Sequence, residues 1–138
     1  MRNKIFGLLI LTVLVSTAFA TEPSSARIDA RQAKALVMAS LTSKQRRLPS
    51  LGIEPYKDPN SSKFLFFTVT WAGTPKGSVV VGNYAVDPYT GDVFSATGAC
   101  QEETNKHLEA LQRKVRAILH VTQAEYQKLK TKGPLCNE

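Results

Sequence analysis

The sequence predicts an α+β domain with the order α-β-β-β-α-α, a three-stranded antiparallel meander packed against helices, and three observations carry it. Apolar residues recur at helical spacing after Asp29, three β-rich segments separated by Gly and Pro turns lie between Lys63 and Ala96, and two further helical patterns follow Glu102.

The first helix begins after Asp29, which caps the first turn, with Gln32 in capping-box position. Ala33, Leu36, Val37 and Leu41 form its apolar stripe, and it ends between Lys44 and Arg47 because Pro49 disfavours helix at Leu48. From Leu48 to Asn60 the chain holds Pro49, Gly52, Pro55 and Pro59, and a loop of about 15 residues is expected, long enough to imply function or mobility.

Strand one is expected over Lys63 to Trp71, with apolar residues on both faces at its start and Thr68 and Thr70 on the face that turns polar. Gly73, Pro75 and Gly77 make a turn with Lys76 at its tip, and strand two runs from Ser78 to Val86, where Gly82 marks a bulge or a close backbone approach. Asp87 then bonds the following backbone, Pro88 presets its φ, and Gly91 takes the left-handed conformation that closes the loop Pro88-Tyr89-Thr90-Gly91. Strand three is short, Asp92 to Ala96.

A helix over Glu102 to His120 places Leu108, Leu111, Val115, Ile118 and Leu119 on one side. Thr122 and Glu125 form a second capping box, opening a shorter helix to about Thr131 before Gly133 and Pro134.

Residues 1–20 read as a cleavable export leader: Arg2 and Lys4, an apolar run from Ile5 to Val15, then Ala18-Phe19-Ala20. The run is too short for a membrane anchor, and Thr21 rather than Cys follows the cut, so a periplasmic protein without stable membrane insertion is expected. Residues 21–138 then form one domain, with 16 basic and 11 acidic residues and a net charge of +5. The basic residues are scattered rather than interleaved with aromatics, and export removes the chain from most nucleic acid, so a nucleic-acid partner is not expected and an acidic protein or the anionic wall is.

Cys100 and Cys136 are expected to pair, because an oxidising compartment favours a disulfide. The second helix spans about 28 Å at 1.5 Å per residue, and the returning helix of ~15 Å with an extended tail of ~13 Å covers the same distance. The alternative, Cys100 as a nucleophile with His107 as its base, sets side chains about 10 Å apart along a helix. His107 and His120 differ by about 220° around a helix and cannot share a ligand face, so no metal and no cofactor is expected.

No motif for nucleophilic, phosphate or metal chemistry is present. Asp87 and Asp92 flank one turn and read either as turn chemistry or as an acid/base pair or cation site, though a calcium loop needs more oxygen ligands. Tyr89 offers a large surface at low entropic cost beside them, Tyr56 is a second aromatic on the Leu48 to Asn60 loop, and Lys76 is a flexible charge on a turn. These five residues are the candidate partner-binding set. Tyr89 has a competing reading in which it folds back over strand three.

The segment Tyr84-Ala-Val-Asp-Pro-Tyr-Thr-Gly-Asp-Val-Phe94 resembles the strand-turn-strand of PepSY-like exported domains, and it is also similar to small periplasmic immunity proteins that neutralise wall-degrading toxins of secretion systems. The likeness covers Lys63 to Thr97. It implies a non-enzymatic inhibitor whose partner is a cell-wall hydrolase or secreted toxin. The alternative is an envelope enzyme or ligand-binding accessory domain with a pocket under the 48–60 loop.

Overall fold

The first helix opens as its capping chemistry requires: the Asp29 carboxylate accepts from the Gln32 backbone N–H at 2.7 Å, and the Gln32 side chain accepts from Asp29 N–H at 3.0 Å. In the computed structural model, which describes residues 26–59, 63–74 and 77–134, the elements are α1 (Ala30–Ser40), α2 (Ser43–Arg46), β1 (Gly52–Tyr56), β2 (Leu65–Thr74), β3 (Gly77–Val86), β4 (Val93–Ser95), α3 (Lys106–Ile118) and α4 (Gln123–Leu129). The expected leader, Lys76 and Cys136 lie outside the described residues.

The fold is α+β, but its antiparallel sheet has four strands in the order β1-β2-β3-β4, not three. The extra strand, β1, occupies the segment expected to be a long loop. Its prolines misled the reading, because Pro55 sits on an edge strand, where the missing N–H costs the ladder nothing. Ile53 is its one buried side chain, facing Val69 across the pair.

The end of the first helix also differs. α1 stops at Ser40, and Thr42 caps the separate turn α2 with Gln45 in a second reciprocal box. A box able to start a helix interrupts the longer one expected. α3 starts at Lys106 rather than Glu102, capped by Asn105, because residues 101–103 run beside β4: Ser95 N–H donates to Gln101 at 2.8 Å and Glu103 N–H to Val93 at 2.8 Å. α4 has its predicted Thr122 and Glu125 box.

One face of the sheet packs against α1 and α3. Leu36, Val37 and Leu108 meet Ile53, Phe67, Val69, Tyr84, Val86 and Val93 there, with Leu111, Val115 and Leu119 at the margin. Ile118, expected on this stripe, is 64 % exposed. Alternation along the strands sends Phe64, Phe66, Ala85 and Phe94 to the opposite face as a smaller cluster. Thr68 and Thr70 continue that face and are only partly covered, and Thr68 donates to Asn83 at 2.8 Å.

The β3 ladder carries a bulge beside Gly82: Val69 pairs with Gly82 but Thr70 pairs with Val80, leaving Val81 as the extra residue. Cys100 is not a free thiol. With Cys136 undescribed, the Cys100 to Cys136 pairing remains a proposal.

Candidate functional site

The turn after β3 has the predicted backbone chemistry. Tyr89 N–H donates to Asp87 Oδ1 at 2.9 Å, Gly91 N–H donates to the Asp87 carbonyl at 2.9 Å, and Gly91 has φ +75°. Asp87 N–H donates to the Asp92 carbonyl at 2.9 Å and seals the loop.

It is not a protrusion, however. Asp87 and Asp92 are each 1 % exposed, and Thr90 and Gly91 are buried as well. α3, α4 and the chain beyond them close over the turn. Gln112 donates to the Gly91 carbonyl at 3.1 Å, Arg116 donates to the Thr90 carbonyl at 3.1 Å and pairs with Asp92 at 3.4 Å, and Thr131 donates to Asp87 at 3.3 Å. The Tyr126 hydroxyl donates to Asp92, while its ring carries the Arg116 guanidinium 4.2 Å from the centroid.

Burial pushes the Asp92 carboxyl up, the hydrogen bond with Thr90 opposes that, the Glu102 charge adds to it, and Tyr126 and Arg116 pull the other way. A buried charge so fully partnered is an internal fastening of the hairpin. The two aspartates therefore take the turn reading, and their carboxylates do not reach the surface.

Tyr56 is exposed and Tyr89 is half-buried. The antiparallel register explains how they come together: Tyr56 pairs with Phe66, Leu65 with Val86, and Val86 with Val93, so the end of β1, the start of β2 and the β3–β4 turn share one end of the sheet. Two clefts open there. One, of about 360 Å³, is lined by Arg27, Ile28, Asp29, Ala30, Lys63, Phe64, Leu65, Pro88 and Tyr89. The other, of about 420 Å³, is lined by Ala30, Pro55, Tyr56, Lys57, Asp58, Phe64, Leu65, Phe66 and Phe67.

Ala30, Phe64 and Leu65 line both clefts, which therefore adjoin as two halves of one strip, Tyr89 lining one half and Tyr56 the other. Ile28 N–H donates to the Pro88 carbonyl at 2.9 Å and ties the lead-in of α1 to the Tyr89 half. Tyr56 stacks at 5.5 Å on Phe66, and burial together with the Asp58 charge raises its phenol above the ordinary value. Lys63 lies 5.9 Å over the Phe64 ring.

The strip offers an apolar floor, two tyrosines and charged residues of both signs. Of the five candidate residues, Tyr56 and Tyr89 line adjoining clefts, Asp87 and Asp92 lie beneath the surface, and Lys76 falls outside the described residues. Arg27, Lys63 and Phe64 were missed. Their only sequence signal is position, Arg27 just before the cap of α1 and Lys63 just before β2.

No protein-family model and no curated protein matches this sequence. Among solved structures, a chain in the "Structure of a type VI secretion system effector-immunity complex from Pseudomonas protegens" is similar at a TM-score of 0.60 and 22% identity, covering 76% of this chain and 88% of that one. That likeness establishes a shared fold.

Proposed function

We propose that this chain is an immunity protein, a non-enzymatic inhibitor that resides in the periplasm and blocks a toxin acting on the cell wall. The observation that carries the reading is the fold shared with a chain of an effector-immunity complex over 88% of that chain's length. The export leader at residues 1–20 supports the compartment, and the likeness of Tyr84 to Phe94 to periplasmic immunity proteins supports the role. The inhibitor works by occupying a surface of the toxin, which requires a preorganised patch and no chemistry of its own. The strip between Tyr56 and Tyr89 supplies that patch, built on strand ends and a turn held from beneath.

The test is protection. The toxin encoded beside this chain's gene is directed to the periplasm of a sensitive host, with and without this chain. Growth with it and lysis without it, together with a stable 1:1 complex of the purified pair, are expected. Lysis in both cases overturns the reading. Mass measurement of the recovered protein should show a chain beginning near Thr21, and an intact Met1 there overturns the export step.

A ligand-binding accessory role is the second reading, favoured by the cleft of about 420 Å³ beside Tyr56. Intrinsic turnover or binding of wall fragments by the purified chain would support it over inhibition.

A further inference from the structure

On the inhibitor reading, on which this step rests, we propose that the toxin presents an acidic segment to the strip, its carboxylates meeting Arg27, Lys57 and Lys63 while an apolar side chain settles on Phe64 and Leu65. The carboxylates that line the two clefts are Asp29 and Asp58, so by count the signs are nearly balanced. They are not equally available. One Asp29 oxygen accepts from the Gln32 N–H at 2.7 Å, closing the cap of α1, and the other stands 3.9 Å from Arg31. That carboxylate also answers the positive end of the helix. Asp58 is half-buried, is engaged within the chain and, after burial, raises the Tyr56 phenol through its charge.

The cations are in the opposite condition. Arg27, Lys57 and Lys63 are exposed, and the ion pairs among the described residues, Arg31 with Asp29, Arg116 with Asp92 and Lys130 with Glu102, include none of them. The Lys63 ammonium stands 5.9 Å over the Phe64 ring, an attraction that leaves its N–H donors open. Positive charge therefore lines the strip unanswered, and the complementary surface is one that brings carboxylates.

The floor between these cations selects a protein segment over an anionic wall polymer. Phe64 is buried, Leu65 and Tyr89 are half-buried, and Tyr56 lies tilted on Phe66, so the cations stand around apolar and aromatic surface. A bare polyanion would answer the charges and leave that surface wet, whereas a segment carrying both acidic and apolar side chains answers both. The chain's formal charge of +7 adds a long-range pull on an acidic surface in the same direction. Exposed rim charges act chiefly on the rate of encounter, which makes that rate the quantity to measure.

Stopped-flow association of the purified chain with the toxin encoded beside its gene, at low and high salt, tests this. Arg27→Glu combined with Lys63→Glu should slow association by about tenfold or more at low salt, and the difference should shrink as salt screens it. Arg113→Glu combined with Lys114→Glu changes the net charge equally at exposed positions of α3, away from the strip, and should slow association by less than about threefold. Circular dichroism and Tm should stay as in wild type for both pairs, since none of the four side chains has an ion-pair partner among the described residues. A strip variant that associates as wild type does, or two pairs that slow association alike, would overturn the proposal and leave the inhibitor reading standing. So would binding of the wild-type chain to purified wall glycan that the strip variant loses while its toxin association is unchanged. A wild-type chain that forms no complex with the toxin would overturn both.

Discussion

The Tyr126 hydroxyl shares its single proton between the two carboxylate oxygens of Asp92, at 3.1 and 3.2 Å, and so fastens the last helix to the β3–β4 turn. Tyr126→Phe keeps the ring against Arg116 and deletes only the hydroxyl. A hydrogen bond to a charged, buried acceptor contributes about 1.5 to 3 kcal/mol, and urea unfolding should register a loss in that range. An unchanged midpoint would mean that the hydroxyl is dispensable.

Asp92 also sets a pH dependence with a definite sign. Burial is the largest influence on it and raises its folded value above the unfolded one, so the native state holds the proton more tightly. Its contribution to stability is full below the unfolded carboxylate range and declines as pH rises through that range towards the folded value. Glu103, raised by burial, acts in the same direction. Glu125 acts oppositely: bonds with Thr122 lower it, so its contribution is present above its unfolded value and is lost as pH falls through the folded one. Removing Asp92 isolates one component. The stability of wild type relative to Asp92→Asn should be greater in acid than at neutral pH, measured by unfolding across a pH series; the reverse slope would contradict the assignment.

Gly91 is under two constraints, a φ of +75° and neighbours on both sides, since an added Cβ would lie 3.2 Å from Val115 and 3.3 Å from Leu36. Gly91→Ala should cost about 1 to 2 kcal/mol for the left-handed backbone alone, and more for the crowding. Gly98→Ala is the control, with φ +70° and no atom within 4 Å of the added carbon. Equal losses in the two variants would show that crowding at Gly91 is absorbed.

Within the inhibitor proposal, Tyr89→Ala and Tyr56→Ala should each weaken toxin binding at least tenfold, about 1.4 kcal/mol, with Tm little changed. Calorimetry on the purified pair measures this. Wild-type affinity in both variants would move the interface away from the strip.

Cys100 with Cys136 replaced by Ser should lower the unfolding free energy by about 2 to 4 kcal/mol if the two are bonded. Thiol titration of unreduced protein gives the independent reading, and two free thiols would exclude the bond.

What the sequence made legible was local chemistry. Asp29 with Gln32, Thr122 with Glu125, and the Asp87 to Gly91 loop each consist of groups within a few residues of one another, and each is present as read. The β1 strand was not legible, because an edge strand with Pro55 and one buried side chain has a loop's composition, and only its partner β2 makes it a strand. The same limit governs the site. Tyr56 and Tyr89 could be singled out as aromatics, but that they border adjoining clefts depends on a register linking residues 33 positions apart in sequence. Asp87 and Asp92 looked like surface groups because their donors, Arg116, Tyr126 and Thr131, come from 24 to 44 residues further on.

Those late donors also impose an order on folding. The hairpin can close its backbone bonds as soon as residues 77–95 are available, but enclosing Asp87 and Asp92 before residues 116–131 arrive would strand two carboxylates without most of their partners. The native interior is therefore completed only when the last helix docks. A chain cut before Tyr126 should retain a wet, open turn, ready to be recognised by proteases as unfinished.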